Sequence, residues 1–324
     1  MENKRVLITG GLGFIGSNLA RKLVESKNVV TVVDSLIPEY GGNLRNLHDL
    51  SDEIIIKVAD IRDESSINQL IKDQDYLFNL AGQTSHLDSM ENPFIDLDIN
   101  AKAQLSILEA CRRNNPEIRI VFASTRQIYG KPEYLPVDEK HPQRPVDVNG
   151  INKIAGEQFH ILYNKVYGIQ TSVLRLTNTY GPRMRIKDAR QTFLGIWIRN
   201  LLEGKAIQVF GDGKQRRDYN YVDDVLDALL IAATEVNAVG KVYNLGAPDP
   251  ISLEETAKIM CQGFEGSDYQ MIPFPKDRKA IDVGDFICDY SAFRDQFGWV
   301  PKVNFEEGIQ QSIEYFREEF EYYI

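Results

Sequence analysis

Short apolar runs alternate with amphipathic stretches through the first half of the chain. The runs are Arg5 to Thr9, Val29 to Val33, Ile54 to Val58, Tyr76 to Leu80, Ile118 to Ala123 and Thr171 to Leu176. They are brief and rich in Val, Ile and Leu, as strands buried on both faces are. The stretches between them have helical period. One helix is expected to begin near Phe14. A second follows Pro93, with Ile95, Leu97, Ile99, Ala103, Leu105, Leu108 and Ala110 among its apolar positions. A third runs from about Gly150 to Tyr167. Strands and helices in alternation predict a parallel sheet covered on both sides. Right-handed crossovers then leave a Rossmann-type doubly wound α/β fold as the economical topology.

After Pro182 the pattern loosens. Turns are expected at Gly211-Asp212-Gly213 and at Ala247-Pro248-Asp249-Pro250. Ser252-Leu253-Glu254-Glu255 reads as a capping box that opens a helix. Phe297-Gly298-Trp299 and Pro301 end a short helix, and a last helix runs from about Phe305 to the C-terminus. The expected division is a dinucleotide-binding Rossmann domain over 1–180 and a smaller C-terminal α/β substrate lobe over 181–324. The chain is expected to cross between the two more than once.

Composition narrows the classes. A chain of 324 residues suits one large or two closely joined domains. Apolar residues make up 43% and charged residues 26%, ordinary for a soluble globular protein. A net charge of −10 argues against broad attraction to nucleic acid or to an anionic membrane. Cys111, Cys261 and Cys288 form neither a disulfide framework nor a metal-ligand spacing, which fits a reducing cytoplasm and no metal site. The first apolar run is too short for a signal core or a membrane span.

Chemistry enters at Thr9-Gly10-Gly11-Leu12-Gly13-Phe14-Ile15-Gly16, which follows a strand and opens a helix. Gly10, Gly13 and Gly16 let the chain turn tightly. A pyrophosphate can then approach the backbone N–H groups at the helix start, where Phe14 and Ile15 lie. Asp34 ends the second strand, 18 residues past Gly16, where an acid accepts the adenosine ribose hydroxyls. An acid there repels a 2′-phosphate, so NAD is favoured over NADP. Asp60-Ile61, just past the third strand, reads either as a flank of the adenine or, through Asp60, as a plain helix cap.

With these features the chain resembles the extended short-chain dehydrogenases that act on nucleotide sugars: 4-epimerases, 4,6-dehydratases, decarboxylases and 2-epimerases. The likeness covers nearly the whole length. Its landmarks are Gly10, Gly13, Gly16, Asp34, Asp60-Ile61, Asn79 to Gly82, Ser124-Thr125, Ile128-Tyr129-Gly130, Lys153, Arg175 to Pro182, Gly211 to Asp224 and Tyr243 to Gly246. The resemblance implies that Leu80, Ala81 and Gly82 line the cofactor. It implies that Thr125 hydrogen-bonds the reacting sugar oxygen and that Lys153 holds the nicotinamide ribose. Asn178 reaches the substrate near its phosphates, and Arg217 and Arg278 grip the diphosphate, for which a planar guanidinium fork is suited. The helices near 94–114 and 150–167 resemble the pair that forms a homodimer contact in this family.

Two positions depart from that pattern. Asn149 stands where the family has its tyrosine, four residues before Lys153, and a neutral amide does not titrate near pH 7. Arg126 and Gln127 follow Thr125, where the 4,6-dehydratases have an Asp-Glu pair, so dehydration is disfavoured. A substitute base is then needed. Lys153 qualifies if NAD lowers its pKa. His86, in Gln83-Thr84-Ser85-His86, qualifies by its position and its chemistry, although a plain loop hydrogen bond also explains it. Tyr129 belongs to the Tyr-Gly turn and reads as structural. The loop Arg183 to Arg190 carries four cations, which either close over the ligand or are solvated. Three functions stay open: epimerisation at a sugar carbon, most simply C4; a 4-dehydrogenase that releases ketosugar and recycles NADH with a second substrate; and a non-catalytic protein that binds NAD and nucleotide sugar.

Overall fold

The computed structural model describes residues 1–264 and 266–324. Six strands come from the apolar runs: β1 (Arg5–Thr9), β2 (Val29–Asp34), β3 (Ile54–Val58), β4 (Tyr76–Asn79), β5 (Arg119–Thr125) and β6 (Gln170–Leu176). A seventh, Val242–Asn244, returns from the second half of the chain and pairs with β6. The sheet is parallel throughout, in the order Val242–Asn244, β6, β5, β4, β1, β2, β3.

The alternation within each strand explains both covered faces. Val6, Ile8, Val30, Val32, Phe78 and Val121 pack in one core with Leu19 and Leu23 of helix Phe14–Glu25 and Leu226 and Leu229 of helix Val222–Thr234. Leu7, Val33, Leu77 and Ile120 point the other way. They meet Ile67, Ile107, Leu108 and Tyr163 from helices Glu64–Leu70, Ala103–Asn114 and Val148–Tyr167. Neighbouring residues on one strand thus anchor opposite layers.

The chain leaves β1 toward β2 on one side and reaches β4 on the other, so a crevice opens at the carboxyl ends of β1 and β4. Thr9 closes its floor: Oγ1 donates to Asn79 Oδ1 at 2.9 Å and accepts from the N–H groups of Leu80 and Ala81 at 3.2 Å each. The stretch after Pro93 is helical but irregular. It starts as Pro93–Leu97, passes through a π turn at Asp98–Lys102 and continues as Ala103–Asn114. β5 runs to Thr125, past the expected Ala123, because Ser124 and Thr125 pair with Arg175 and Leu176 of β6. That extension carries Thr125 to the sheet edge.

The second lobe is built from short pieces. Asn178–Tyr180 pairs with Tyr219–Tyr221, Ile207–Phe210 with Tyr269–Ile272, and Arg216–Arg217 with Ile251–Ser252. Ser252 caps helix Leu253–Gln262 by accepting from the Glu255 N–H at 3.1 Å. Gly298, in the left-handed region, ends helix Ser291–Phe297, and helix Phe305–Glu319 closes the chain. Residues 222–244 lie on the first lobe's sheet, so a cut at residue 180 does not separate two layers.

Candidate active site

A cavity of about 750 Å³ runs along the carboxyl edge of the sheet and under the second lobe. Phe14, Ile15 and Leu80 wall one end, and Arg217, Phe274 and Arg278 the other. Ser124, Thr125, Arg126, Asn149, Lys153 and His86 lie between.

The first end is shaped for a dinucleotide. Gly10 has φ +68°, which favours glycine, and a side chain there would press on the Ala81 backbone at 3.0 Å. A Cβ on Gly16 would sit 2.2 Å from the Gly10 carbonyl oxygen, so the helix starts hard against the turn. Gly13 caps that helix without a side-chain bond, leaving the first-turn N–H groups for an anion. Asp34 Oδ2 accepts from the Leu12 N–H at 3.1 Å and Oδ1 from the Leu36 N–H at 3.0 Å. Burial pushes the Asp34 carboxyl up, and those backbone bonds oppose it. These residues fit NAD: Gly10, Gly13, Phe14, Ile15 and Gly16 around a pyrophosphate, Asp34 for a ribose diol. Asp60 pairs with Arg62 in a two-point bond of 2.9 and 2.6 Å, and Ile61 is buried in the core. The helix that follows is capped by Asp63, not by Asp60. Of the stretch expected to line the cofactor, Leu80 reaches the cavity, and Gly82 passes Asn100 and Lys153 so closely that a Cβ would lie 2.9 Å from each.

Asn149 sits at the cavity wall, but its amide is committed. Nδ2 donates to the Gln83 carbonyl at 2.8 Å, to Gln83 Oε1 at 3.2 Å and to Asp96 Oδ2 at 3.0 Å. Asn152 donates to the other Asp96 oxygen at 2.8 Å, and Asn100 to the Gln83 carbonyl at 2.9 Å. Asn149 therefore belongs to a buried polar network joining helix Val148–Tyr167 to the stretch after Pro93. Lys153, one turn further, is nearly enclosed. Its Nζ donates to the Ala123 carbonyl at 3.3 Å and lies 5.3 Å from the Phe122 ring centre. Burial pushes its pKa down to about 8, opposed by Asp96.

His86 opens the helix His86–Glu91 and faces the cavity with 38% of its side chain exposed. Behind it lies Asp147, whose side chain is fully buried. His86 Nδ1 and Asp147 Oδ2 are 2.9 Å apart, though not well aligned for a hydrogen bond. Asp147 caps helix Val148–Tyr167 by accepting from the Gly150 N–H at 2.7 Å, and it accepts from Gln127 at 3.1 Å. Burial pushes its carboxyl up; His86, Gly150 and Gln127 more than offset this and hold it below the usual range. The result is a His–Asp pair beside the position that lacks tyrosine. Sequence spacing could not join residues this far apart. The one available signal was Asp147 standing at the N-cap of the lysine helix.

Tyr129 is not a second candidate. It is buried, donates to Asn244 at 2.6 Å and accepts from Arg175 at 2.6 Å. Arg175 is itself bound to buried Glu157 at 2.5 Å. Arg217 is held by the Arg216 carbonyl at 2.8 Å and by the Gly284 carbonyl. Arg278, on the short helix Lys276–Ala280, stands over Phe210. Two of the four cations in the loop after Pro182 are paired with carboxylates, and Arg183 bonds the neutral Asn18 at 2.8 Å. Arg185 pairs with Asp188 and binds the Pro38 and Tyr40 carbonyls, while Arg190 bridges Asp88 and Asp188. Through Arg185 and Arg190 the loop clamps the two lobes together.

The NAD dependent epimerase/dehydratase family matches residues 6–246, which span the sheet and most of the cavity. The chain belongs to this family. A Methanocaldococcus jannaschii relative is 34% identical over 316 residues, covering 96% of this chain and 98% of its own. The UDP-N-acetyl-alpha-D-glucosaminuronate decarboxylase of Bacillus cytotoxicus is 31% identical, over 97% of this chain and 98% of its own. The crystal structure of UDP-glucose 4-epimerase from Thermotoga maritima with UDP-glucose superposes with a TM-score of 0.89 at 31% identity, over 98% of this chain and 99% of that one. The family's cofactor is NAD, and its members modify nucleotide sugars. Among the described residues no helix is long and apolar enough to cross a membrane, and no group of three His, Cys, Asp or Glu side chains forms a metal cluster. All three cysteines are free.

Proposed function

We propose that this protein epimerises a nucleotide-diphosphate sugar at C4, with His86 in place of the absent tyrosine. One observation carries the reading: His86, backed by Asp147, shares a single cavity with Thr125 and Lys153, and Arg217 and Arg278 stand at its far end. Bound NAD supplies the hydride acceptor and donor. The chain's residues handle the proton and the pose. Arg217 and Arg278 hold the diphosphate with help from Asn178. Thr125 hydrogen-bonds the C4 oxygen. Neutral His86 accepts the hydroxyl proton, and Asp147 stabilises the imidazolium that forms. The sugar turns over as the ketone, and His86 returns the proton. Arg126 and Gln127 put no acid after Thr125, so nothing there assists loss of water.

A proton NMR time course with candidate nucleotide sugars, with and without an added keto acid, tests this. An epimer without net NADH is expected. Accumulated ketosugar would replace the epimerase with a 4-dehydrogenase that recycles NADH through the keto acid. No isotope exchange at any sugar carbon would leave a protein that binds both ligands without catalysis.

The same reading includes a cytoplasmic homodimer. Phe94, Ile151, Leu162 and Val166 are exposed at 78, 55, 49 and 59% on the two helical segments that the family resemblance assigns to a dimer contact. Burying them against their two-fold copies removes apolar surface that a monomer rarely leaves open. Light scattering is expected to give a dimer; monomer alone at micromolar concentration would rule it out.

A further inference from the structure

We propose that Arg126 reads a carboxylate on the sugar, so that the substrate class is a nucleotide-diphosphate hexuronic acid. This rests on the nucleotide-sugar reading above and specifies it. Arg126 follows Thr125 directly, in the turn Arg126–Tyr129 at the end of β5, and lines the cavity. Its guanidinium lies 4.9 Å from the Phe286 ring centre. Its one side-chain hydrogen bond among the described residues runs from Nη2 to Asn178 Oδ1 at 3.4 Å, near the limit for such a bond. Nη1 is closed off from water and has no acceptor among the described residues.

Two of the other three cavity arginines are committed, while Arg278, assigned above to the diphosphate, stands over Phe210 with no acceptor among the described residues. Arg190 is spent on Asp88 and Asp188. Arg217 is held by two carbonyls, with Asp282 at 3.9 Å. Asp218 is the carboxylate nearest in influence to Arg126, but it makes no ion pair with it, and its own Oδ1 is also unpartnered. Burial pushes the Asp218 carboxyl up to about 6, with Arg126 opposing, so at neutral pH it is mostly ionised and offsets the cation through space while leaving the guanidinium donors without an acceptor. Burial and the nearby Arg217 push Arg126 down to about 10, which still leaves it charged at neutral pH.

A half-buried cation with one guanidinium nitrogen enclosed and unpartnered and another held by a single long bond is costly, and an anion lowers that cost. Arg217 and Arg278 already match the two charges of a diphosphate. Arg126 is a third cation, placed between Thr125, which faces the reacting sugar oxygen, and Asn178. A carboxylate on the hexose ring accepts its fork in two places. A neutral hydroxymethyl group at the same carbon leaves the fork without an anion in hydrogen-bond contact, and sites built this way reject the analogue lacking their partner.

The test is calorimetric titration of the NAD-loaded protein with UDP, UDP-glucose and UDP-glucuronate, repeated on thymidine and guanosine diphosphates if UDP is silent. The uronate is expected to bind roughly 10- to 100-fold more tightly than the neutral sugar. Arg126→Gln should erase that preference while leaving the plain nucleotide within about twofold. Arg126→Lys, which keeps the charge and loses the fork, should retain part of it and serves if the glutamine variant does not fold. No preference for the uronate in the wild type overturns the inference and leaves the nucleotide-sugar reading intact. Equal loss of UDP affinity in Arg126→Gln makes Arg126 a diphosphate ligand and also overturns it. Failure of every nucleoside diphosphate to bind removes the reading and the inference together.

Discussion

His86→Ala is expected to lower kcat by roughly 10²–10⁴-fold, the usual contribution of a general base, with KM little changed. The ring combines exposure to the ligand space with a buried carboxylate behind it. Lys153, the rival base, is nearly enclosed and points at the Ala123 carbonyl. Asp147 is a positioning residue in this scheme. Asp147→Asn keeps a side-chain acceptor at the helix cap, so the helix should survive. It removes the charge that holds the imidazolium, and the expected loss is about 10- to 100-fold in kcat. A structural defect would raise KM and depress the melting midpoint as well; an orienting defect leaves both nearly fixed. Added imidazole should restore part of the His86→Ala rate, because truncation opens space beside the substrate. A His86→Ala enzyme with wild-type kcat would take the proton away from this pair and reopen the question of the base.

What the sequence disclosed follows the range over which each feature acts. The strands were legible because each is buried on both faces, so Val6, Leu7 and Ile8 all had to be apolar. The glycine turn and Asp34 were legible because their work is done by backbone a few residues away. Features made by contact between distant segments were not. β5 reaches Thr125 because β6 lies beside it. The π turn at Asp98–Lys102 goes with the close passage of Gly156, where a Cβ would stand 2.8 Å from the Asn100 carbonyl oxygen. Counting cations in the loop after Pro182 could not show that Asp88, Asp188 and two carbonyls would absorb Arg185 and Arg190. Asn149 was visible as a missing phenol, but not as a donor that ties Asp96 and Gln83 together. Its amide is spent on structure, which is why the search for a base moves to the next wall of the cavity.

Lys153→Ala is expected to abolish turnover and weaken NAD binding, and the lysine also leaves a mark on the protein without ligand. An ordinary lysine titrates at 10.5, whereas burial holds Lys153 at about 8, with Asp96 pulling it back up. Between those two values the unfolded chain holds the extra proton. Stability must therefore rise with pH across that window, and below about 8 the folded protein bears the full cost of an enclosed ammonium. That cost is on the order of 3 kcal/mol. Lys153→Met, which keeps the length and drops the charge, should be more stable than wild type near pH 7. The gap should narrow as pH rises from 8 toward 10.5. Denaturant titrations of both proteins at several pH values read this directly, and calorimetry with NAD reads the other half. A residue that destabilises the empty fold and is indispensable to the filled one has a ligand as its reason for being buried. Unchanged NAD affinity and activity in Lys153→Ala would mean that the nicotinamide ribose is held elsewhere, and the assignment of this cavity would fall with it.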